Sequence, residues 1–318
     1  MSRGNQVLTV LLVVQIVVGV VIFWPRTPSA VAGELLFPGL EADQVTQVSI
    51  TDPDQGELRL AKEGDGWVLP GAGGYPGQST KVDALLEKLV ALTGDRVITE
   101  TKASHKRLEV ADDAYVRLVV LTLSDGTLRT LYVGSSPSYG VLHVRLKGQD
   151  EVYLVSGLSS SDVGAKASDW VDTAYVSLNQ DQVYAISVQN ANGRFVFTKD
   201  AEANWTLAGL QEGETLQASA VSSLLSRVAS LRLLRPLGTE NLPSYGMSTP
   251  LATFTLQLRN AEGLVEQHTI VVGSQDPEDN AYAAKYSGSD YYVRVAEYTV
   301  QEWVKKTREE LLEPPTAE

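Results

Sequence analysis

VTQVSITDPDQGELRLAKEGDGWVL, residues 45–69, and VYAISVQNANGRFVFTKDAEANWTL, residues 183–207, carry one pattern twice. Val45, Val48 and Ile50 fall on Val183, Ile186 and Val188 at an offset of 138 residues, and Trp67-Val68-Leu69 falls on Trp205-Thr206-Leu207 at the same offset. Within each stretch two apolar runs alternate with polar residues around Asp54-Gln55-Gly56 or Asn192-Gly193. A period of two places alternate side chains on one face of a strand, and a Gly- or Asn-containing turn between two such runs predicts a β-hairpin, here followed by a Trp-bearing third strand.

The repeat continues downstream. Val82, Leu85, Leu86, Leu89 and Leu92 map at an offset of 139 onto Val221, Leu224, Leu225, Val228 and Leu231, a spacing that lays them along one face of an α-helix. Thr80 and Ser219 are the candidate N-caps, and Gly94 the residue that closes the first helix. VRLVVLTL and TLRTLYVGS in the first copy parallel TFTLQL and EQHTIVVGS in the second, with Val133-Gly134-Ser135 on Val272-Gly273-Ser274. A last hairpin turns at Gly148 or Gly288, and each copy ends in an amphipathic stretch with Trp170-Val171 or Trp303-Val304, so four tryptophans fall into two equivalent pairs.

A period this long means domain duplication rather than a solenoid of units of roughly 20 to 50 residues. Each copy reads β-β-β-α-β-β-β-β-β-α, an α+β fold of mostly antiparallel sheet with helices packed on it. The expected division is an anchor and flank over residues 1–32, a first repeat domain with its spacer over 33–175, a second over 176–312, and a tail over 313–318. Gly33 to Asp43 read as the spacer. The join near Tyr175 to Asp181 lacks a Pro/Gly/Ser linker, so the copies are expected to pack together.

Val7 to Trp24 is eighteen residues without a charge, spanning about 27 Å as a helix and closed by Pro25. A buried globular helix would show a polar stripe, which this one lacks. The segment reads as a retained single-pass anchor, although Ala30-Val31-Ala32 also has the small-x-small pattern of a signal cleavage site. A tiny basic flank before a long acidic body favours a cytoplasmic N-terminus and an extracytoplasmic body at the cell membrane.

The 318 residues carry a net charge of −13, and since the first 32 hold Arg3, Arg26 and no acid, the remainder carries −15. Such a surface repels phosphate backbones and disfavours nucleic acid as a partner. The absence of cysteine excludes disulfides, thiolate metal sites, a cysteine nucleophile and a lipoprotein cysteine.

No stretch carries a catalytic, cofactor-binding or metal motif that outweighs a structural explanation. His143 and His268 read as exposed strand residues and His105 as a solvated loop residue. Asp52, Asp54 and Glu63 resemble a calcium loop, but Glu57 stands where the turn needs glycine, so they read as a turn. Asp276, Glu278 and Asp279 read as an acidic loop. Gly71 to Gly77 is glycine-rich but follows a meander strand, contains Pro76, and reads as a flexible loop. Trp67 and Trp205 read as core plugs, and Asn204-Trp205-Thr206 is formally a glycosylation sequon.

These residues resemble the bacterial family known as domain of unknown function 4340 (DUF4340). Its members have an N-terminal membrane helix and then tandem copies with a W-x-L strand, a V-x-x-L-L helix and a Y-G-x-x-x-P signature. The last appears here as Tyr245-Gly246-Met247-Ser248-Thr249-Pro250, whereas the first copy departs from it with His105 to Val110. The resemblance implies an extracytoplasmic protein, in some members found with ABC-type transport components. The expectation is a non-enzymatic, membrane-anchored accessory or scaffold protein with a protein partner in the cell envelope. The alternative is an envelope ligand-binding or hydrolytic protein acting on glycan or peptide.

Overall fold

A computed structural model describes residues 33–54, 56–260 and 262–314. The apolar segment, the cleavage pattern after it and the end of the tail lie outside these residues. Among the described residues no helix is long and apolar enough to cross a membrane.

The first half contains β1 (Val45–Asp52), β2 (Gly56–Glu63), β3 (Gly66–Leu69), helix α1 (Ser79–Val90), β4 (Arg96–Thr99), β5 (Arg117–Leu123), β6 (Leu128–Val133), β7 (Val141–Leu146) and β8 (Val152–Ser156). The second contains β9 (Val183–Asn190), β10 (Gly193–Lys199), β11 (Trp205–Leu207), α2 (Ala218–Ala229), β12 (Leu233–Gly238), β13 (Ala252–Arg259), β14 (Val265–Gln275), β15 (Tyr282–Tyr286), β16 (Tyr292–Val295) and α3 (Glu297–Lys305). From edge to edge the first sheet runs β3-β2-β1-β5-β6-β7-β8-β4, with a two-residue strand Tyr75–Pro76 outside β3. The second runs β11-β10-β9-β13-β14-β15-β16-β12, the same order strand for strand. All neighbours in both sheets are antiparallel. The molecule is thus an α+β protein dominated by two large sheets.

The order follows from the chain path. After the three-strand meander, a helix carries the chain across the sheet face to the far edge, and the next strand returns to pair with the first. Even the irregularities match: the register slips between Thr122 and Leu123 where β5 meets β1, and between Val183 and Ala185 where β9 meets β13. Val82, Leu85, Leu86 and Leu89 of α1 are buried with Val48, Ile50, Leu58 and Leu60, and α2 buries Val221, Leu224, Leu225 and Val228 in the same way. Each such aliphatic contributes about 1.5–3 kcal/mol, which is what docks a twelve-residue helix on its sheet.

The helix ends differ from the sequence expectation. The N-caps are Gln78 and Gln217, neither with a side-chain cap bond, so Thr80 and Ser219 lie inside the helices. The two glutamines serve the end of each half instead, their amides donating to the Trp170 carbonyl at 2.6 Å and the Leu311 carbonyl at 2.8 Å. Helix α1 stops at Ala91, before Gly94, which pairs with Glu34 and where a Cβ would meet the Tyr153 ring at 2.6 Å.

The segment from Gly33 to Asp43 is not a free spacer. Leu36, Phe37 and Leu40 are buried, Leu35 pairs with Thr93, and the Leu36 amide donates to the Leu92 carbonyl at 2.8 Å. The second half repeats this with Ala174 on Arg232 and Tyr175 donating to Leu231 at 3.0 Å.

The amphipathic helix expected around Trp170 is absent. Two short 3-10 turns, Ser160–Val163 and Ala167–Asp169, stand where the second half has α3. Ser and Gly are weak helix formers, and Asp162 and Asp169 each accept backbone N–H bonds that end a turn locally. The second tryptophan pair therefore dissolves: Trp170 holds the place of Leu311 against the cap glutamine, while Trp303 on α3 packs edge-on against Phe197 at 6.3 Å.

One apolar core runs through both halves. The run from Gly71 to Gly77, read from sequence as a flexible loop, is part of their junction. Gly73 has a φ of +65°, and a Cβ there would lie 3.1 Å from the Gly238 Cα at the end of β12, so only glycine admits this approach. Tyr291 donates its hydroxyl to the Gly74 carbonyl at 3.0 Å and stacks edge-on against Tyr75.

Candidate functional site

The residues singled out by sequence are dispersed and already occupied. Asp52 is buried, pairs with Arg117 at 2.6 Å and accepts from the Asp54 amide at 2.8 Å, which makes the calcium-like run a turn. Asp276 is held by Arg235 and Arg294 at 3.1 and 3.3 Å, and Asp279 by Arg235. These guanidinium contacts occupy the carboxylates that a cation would need. Among the described residues no group of three or more acidic, histidine or cysteine side chains gathers as a metal site.

The histidine expectations are overturned. His105 is buried, with Nε2 2.9 Å from the Asp150 carbonyl, because the small hairpin of Val110–Ala111 and Ala114–Tyr115 folds its segment onto a satellite core of Leu108, Val110, Tyr132 and Val152. His143 is buried too, and Nδ1 donates to the Ser135 carbonyl at 3.0 Å; burial holds its pKa below the usual histidine value. Gly134 lets the loop before β5 cross close over the sheet beside them, where a Cβ would meet the Leu108 oxygen at 2.2 Å, and Gly273 does the same in the second half, where a Cβ would meet the Tyr245 oxygen at 1.9 Å. That crossing explains the repeated Val-Gly-Ser. Trp67 is a buried plug whose Nε1 donates to Asp83 at 3.1 Å, whereas Trp205 is half-buried beneath the Lys199 ammonium.

His268, expected from sequence to be an exposed strand residue, is largely covered within an aromatic cluster. Its Nδ1 lies 2.7 Å from the Tyr286 hydroxyl, the two rings stack at 5.8 Å, and Tyr286 packs edge-on against Tyr175 at 6.1 Å. Tyr175 itself is buried, donating to the Tyr291 carbonyl at 2.6 Å and accepting from the Tyr286 amide at 2.8 Å. Burial pushes its hydroxyl up to about 12.

Registers place the corresponding residues of the first half. Leu36 donates to Leu92 as Tyr175 does to Leu231. Leu146 opposes Leu131 as Tyr286 opposes Ile270. Arg129 opposes Leu121 as His268 opposes Leu256. The hydrogen bond from Lys147 to Thr130 repeats that from Ser287 to Thr269, and Gln149 to Leu146 repeats Ser289 to Tyr286. The plug Tyr175–Tyr286–His268 is thus replaced by Leu36, Leu146 and Arg129, and the space it would fill is open.

That space is a pocket of about 380 Å³, with Leu36, Phe37 and Leu146 as apolar wall, Leu128 at 60% exposure, and Arg129 and Lys147 as cations. Among the described residues neither cation has an ion-pair partner within 4 Å. A neighbouring cavity of about 320 Å³ is lined by Lys102, Lys106 and Arg145, but these are satisfied by Asp150 at 3.7 Å, Asp113 at 2.6 Å and Asp112 at 2.5 Å. Arg145 also lies over the Tyr132 ring and holds the Asp112 carboxyl below its usual range. The first pocket combines apolar surface with uncommitted positive charge, the chemistry that takes an anionic amphiphile. Sequence reasoning missed it; the one signal available was the exchange of Tyr175, Tyr286 and His268 for smaller or cationic residues at matched offsets.

A family model described as a domain of unknown function (DUF4340) matches residues 67–238 and again 217–315. No curated protein and no solved structure matches the chain.

Proposed function

The chain belongs to the DUF4340 family, and from that premise we propose that it is a membrane-anchored, non-enzymatic accessory or scaffold protein built of two duplicated domains. In this reading residues 1–32 hold the anchor with its N-terminus in the cytoplasm, and the body works outside the cytoplasm through protein contacts. An ABC-type transport system is the partner suggested by the family resemblance. The observation that carries the proposal is the absence of slack. The packed segment from Leu36 follows the apolar stretch within a dozen residues of Trp24, and Gly73 and Tyr291 lock the two sheets together.

A joint of this kind suits a platform that presents a fixed surface near a bilayer, and tethering raises its effective concentration for membrane neighbours. The test is co-purification from intact membranes by the full chain and by a chain lacking residues 1–32, with a reporter active only outside the cytoplasm fused after Glu318. The proposal expects an active reporter and partners captured only by the anchored form. A cytoplasmic reporter signal, or turnover of a glycan or peptide abolished by one acidic substitution, would replace it.

A further inference from the structure

We propose that the pocket between Leu36, Leu128 and Lys147 is the body's bilayer contact and takes the headgroup of an anionic phospholipid, with Arg129 and Lys147 on the phosphate and Leu36, Phe37, Leu146 and Leu128 against the glycerol and upper acyl region. This rests on the membrane-anchored reading above. It adds to that reading which face meets the lipid and what lipid chemistry it selects.

Charge is the first argument. The chain beyond residue 32 carries −15, yet this pocket is lined by two cations, Arg129 and Lys147, and by no acid. The cations of the neighbouring cavity, Lys102, Lys106 and Arg145, are each paired with an aspartate. Within the pocket hairpin Asp125 is the acid that feels Arg129, and its carboxylate is committed to the Thr127 amide at 2.8 Å.

Position is the second. The apolar wall is made by residues 36 and 37, twelve and thirteen beyond Trp24, so even fully extended the connection reaches about 40 Å. The pocket lies on the part of the body first in line from the apolar stretch. A mixed basic and apolar surface there matches the interfacial layer of an anionic bilayer, where each basic side chain adds an attraction equivalent to about fivefold in affinity.

The third argument is the matched position in the second half, where Tyr175, Tyr286 and His268 occupy the space. The fold therefore has a way to close this pocket with its own side chains, and the first half does not use it. Leu128, at the rim of the open pocket with 60% exposure, is apolar surface that a bilayer would cover.

The chain has no cysteine, so Leu128→Cys and Leu264→Cys, at two hairpin positions with 60% and 61% exposure, each give a single labelling site. The full chain carrying an environment-sensitive fluorophore at either site is reconstituted into vesicles of phosphatidylcholine with and without phosphatidylglycerol, and quenching by brominated lipid is measured. The expected result is strong quenching and a blue shift at position 128 that grow with phosphatidylglycerol, and little of either at 264. Arg129→Gln and Lys147→Gln should each weaken the phosphatidylglycerol dependence several-fold. Leu146→Tyr, which installs the second half's plug, should remove it with the melting temperature retained.

Equal signals at 128 and 264 in vesicles that carry the chain through flotation would overturn the lipid pocket and leave the anchored reading intact. A phosphatidylglycerol dependence untouched by all three pocket substitutions would overturn it as well. A chain that does not float with the vesicles defeats the anchored reading and this inference together.

Discussion

The two halves share a strand order and differ in what fills their corners. Trp67 is sealed in the first half and bonded to Asp83, while Trp205, its sequence partner, lies half-exposed under Lys199. In the opposite sense, Tyr175, Tyr286 and His268 plug a corner of the second half that Leu36, Leu146 and Arg129 leave open in the first. The contrast teaches that the fold is held by alternating aliphatic residues along β1, β5, β9 and β13 and by the helix stripes. The large aromatic residues are free to migrate between corners, and where they leave, a pocket appears.

The tryptophan comparison should break first. Trp67→Ala is expected to cost about 3–5 kcal/mol, since it empties a buried site. Trp205→Ala should cost about 1 kcal/mol, the worth of a partly exposed ring and one cation–π contact. Chemical denaturation of the two variants measures both, and equal losses would show that the halves use the residue alike after all.

The plug is the next test. Tyr175→Phe removes a donor to Tyr291 and the acceptor of the buried Tyr286 amide, leaving that amide unpaired, so a loss of about 1–3 kcal/mol is expected. The hydroxyl titrates at about 12, above its ordinary value of 10.0. A raised folded pKa means its contribution is complete below pH 10 and lost as pH climbs toward 12. Thermal melts across that window should steepen for the native chain and stay flatter for the Phe variant.

A smaller effect is expected at the end of the second half, where the first half has no equivalent helix. Arg308 grips Glu214 at 2.7 and 2.5 Å and, with the Gln211 amide, lowers its carboxyl from 4.5 to about 2. The sign is opposite to that of Tyr175: a depressed pKa gives a contribution present above pH 4.5 and lost as pH falls through about 2. Acid titration of Arg308→Gln against the native chain should show a modest difference near neutral pH, as for a pair that water still reaches, and the difference should vanish at the acid end.

Much of the architecture was legible because it depends on local periodicity. Alternation at Val48, Ile50, Leu58 and Leu60 sets a strand pair, and the stripe at Val82, Leu85, Leu86 and Leu89 sets a helix, whatever surrounds them. Their recurrence at 138 or 139 residues predicted a second sheet and helix of the same kind, and both are present. The acidic balance and the eighteen-residue apolar segment are likewise properties of sequence alone.

What tertiary structure decided concerns residues whose environment comes from distant chain. His105 and His143 are buried because a loop crosses the sheet beside Gly134, and no local pattern announces a crossing. Gly73 looks like a flexible-loop residue until β12 of the other half is brought against it. Trp170 and Trp303 look paired by position, yet hydrogen bonding puts Leu311 in the first one's place. The pocket is the extreme case, since it is defined by atoms missing from a corner where residues 36, 129 and 146 converge, and an empty volume has no residue of its own for a sequence to display.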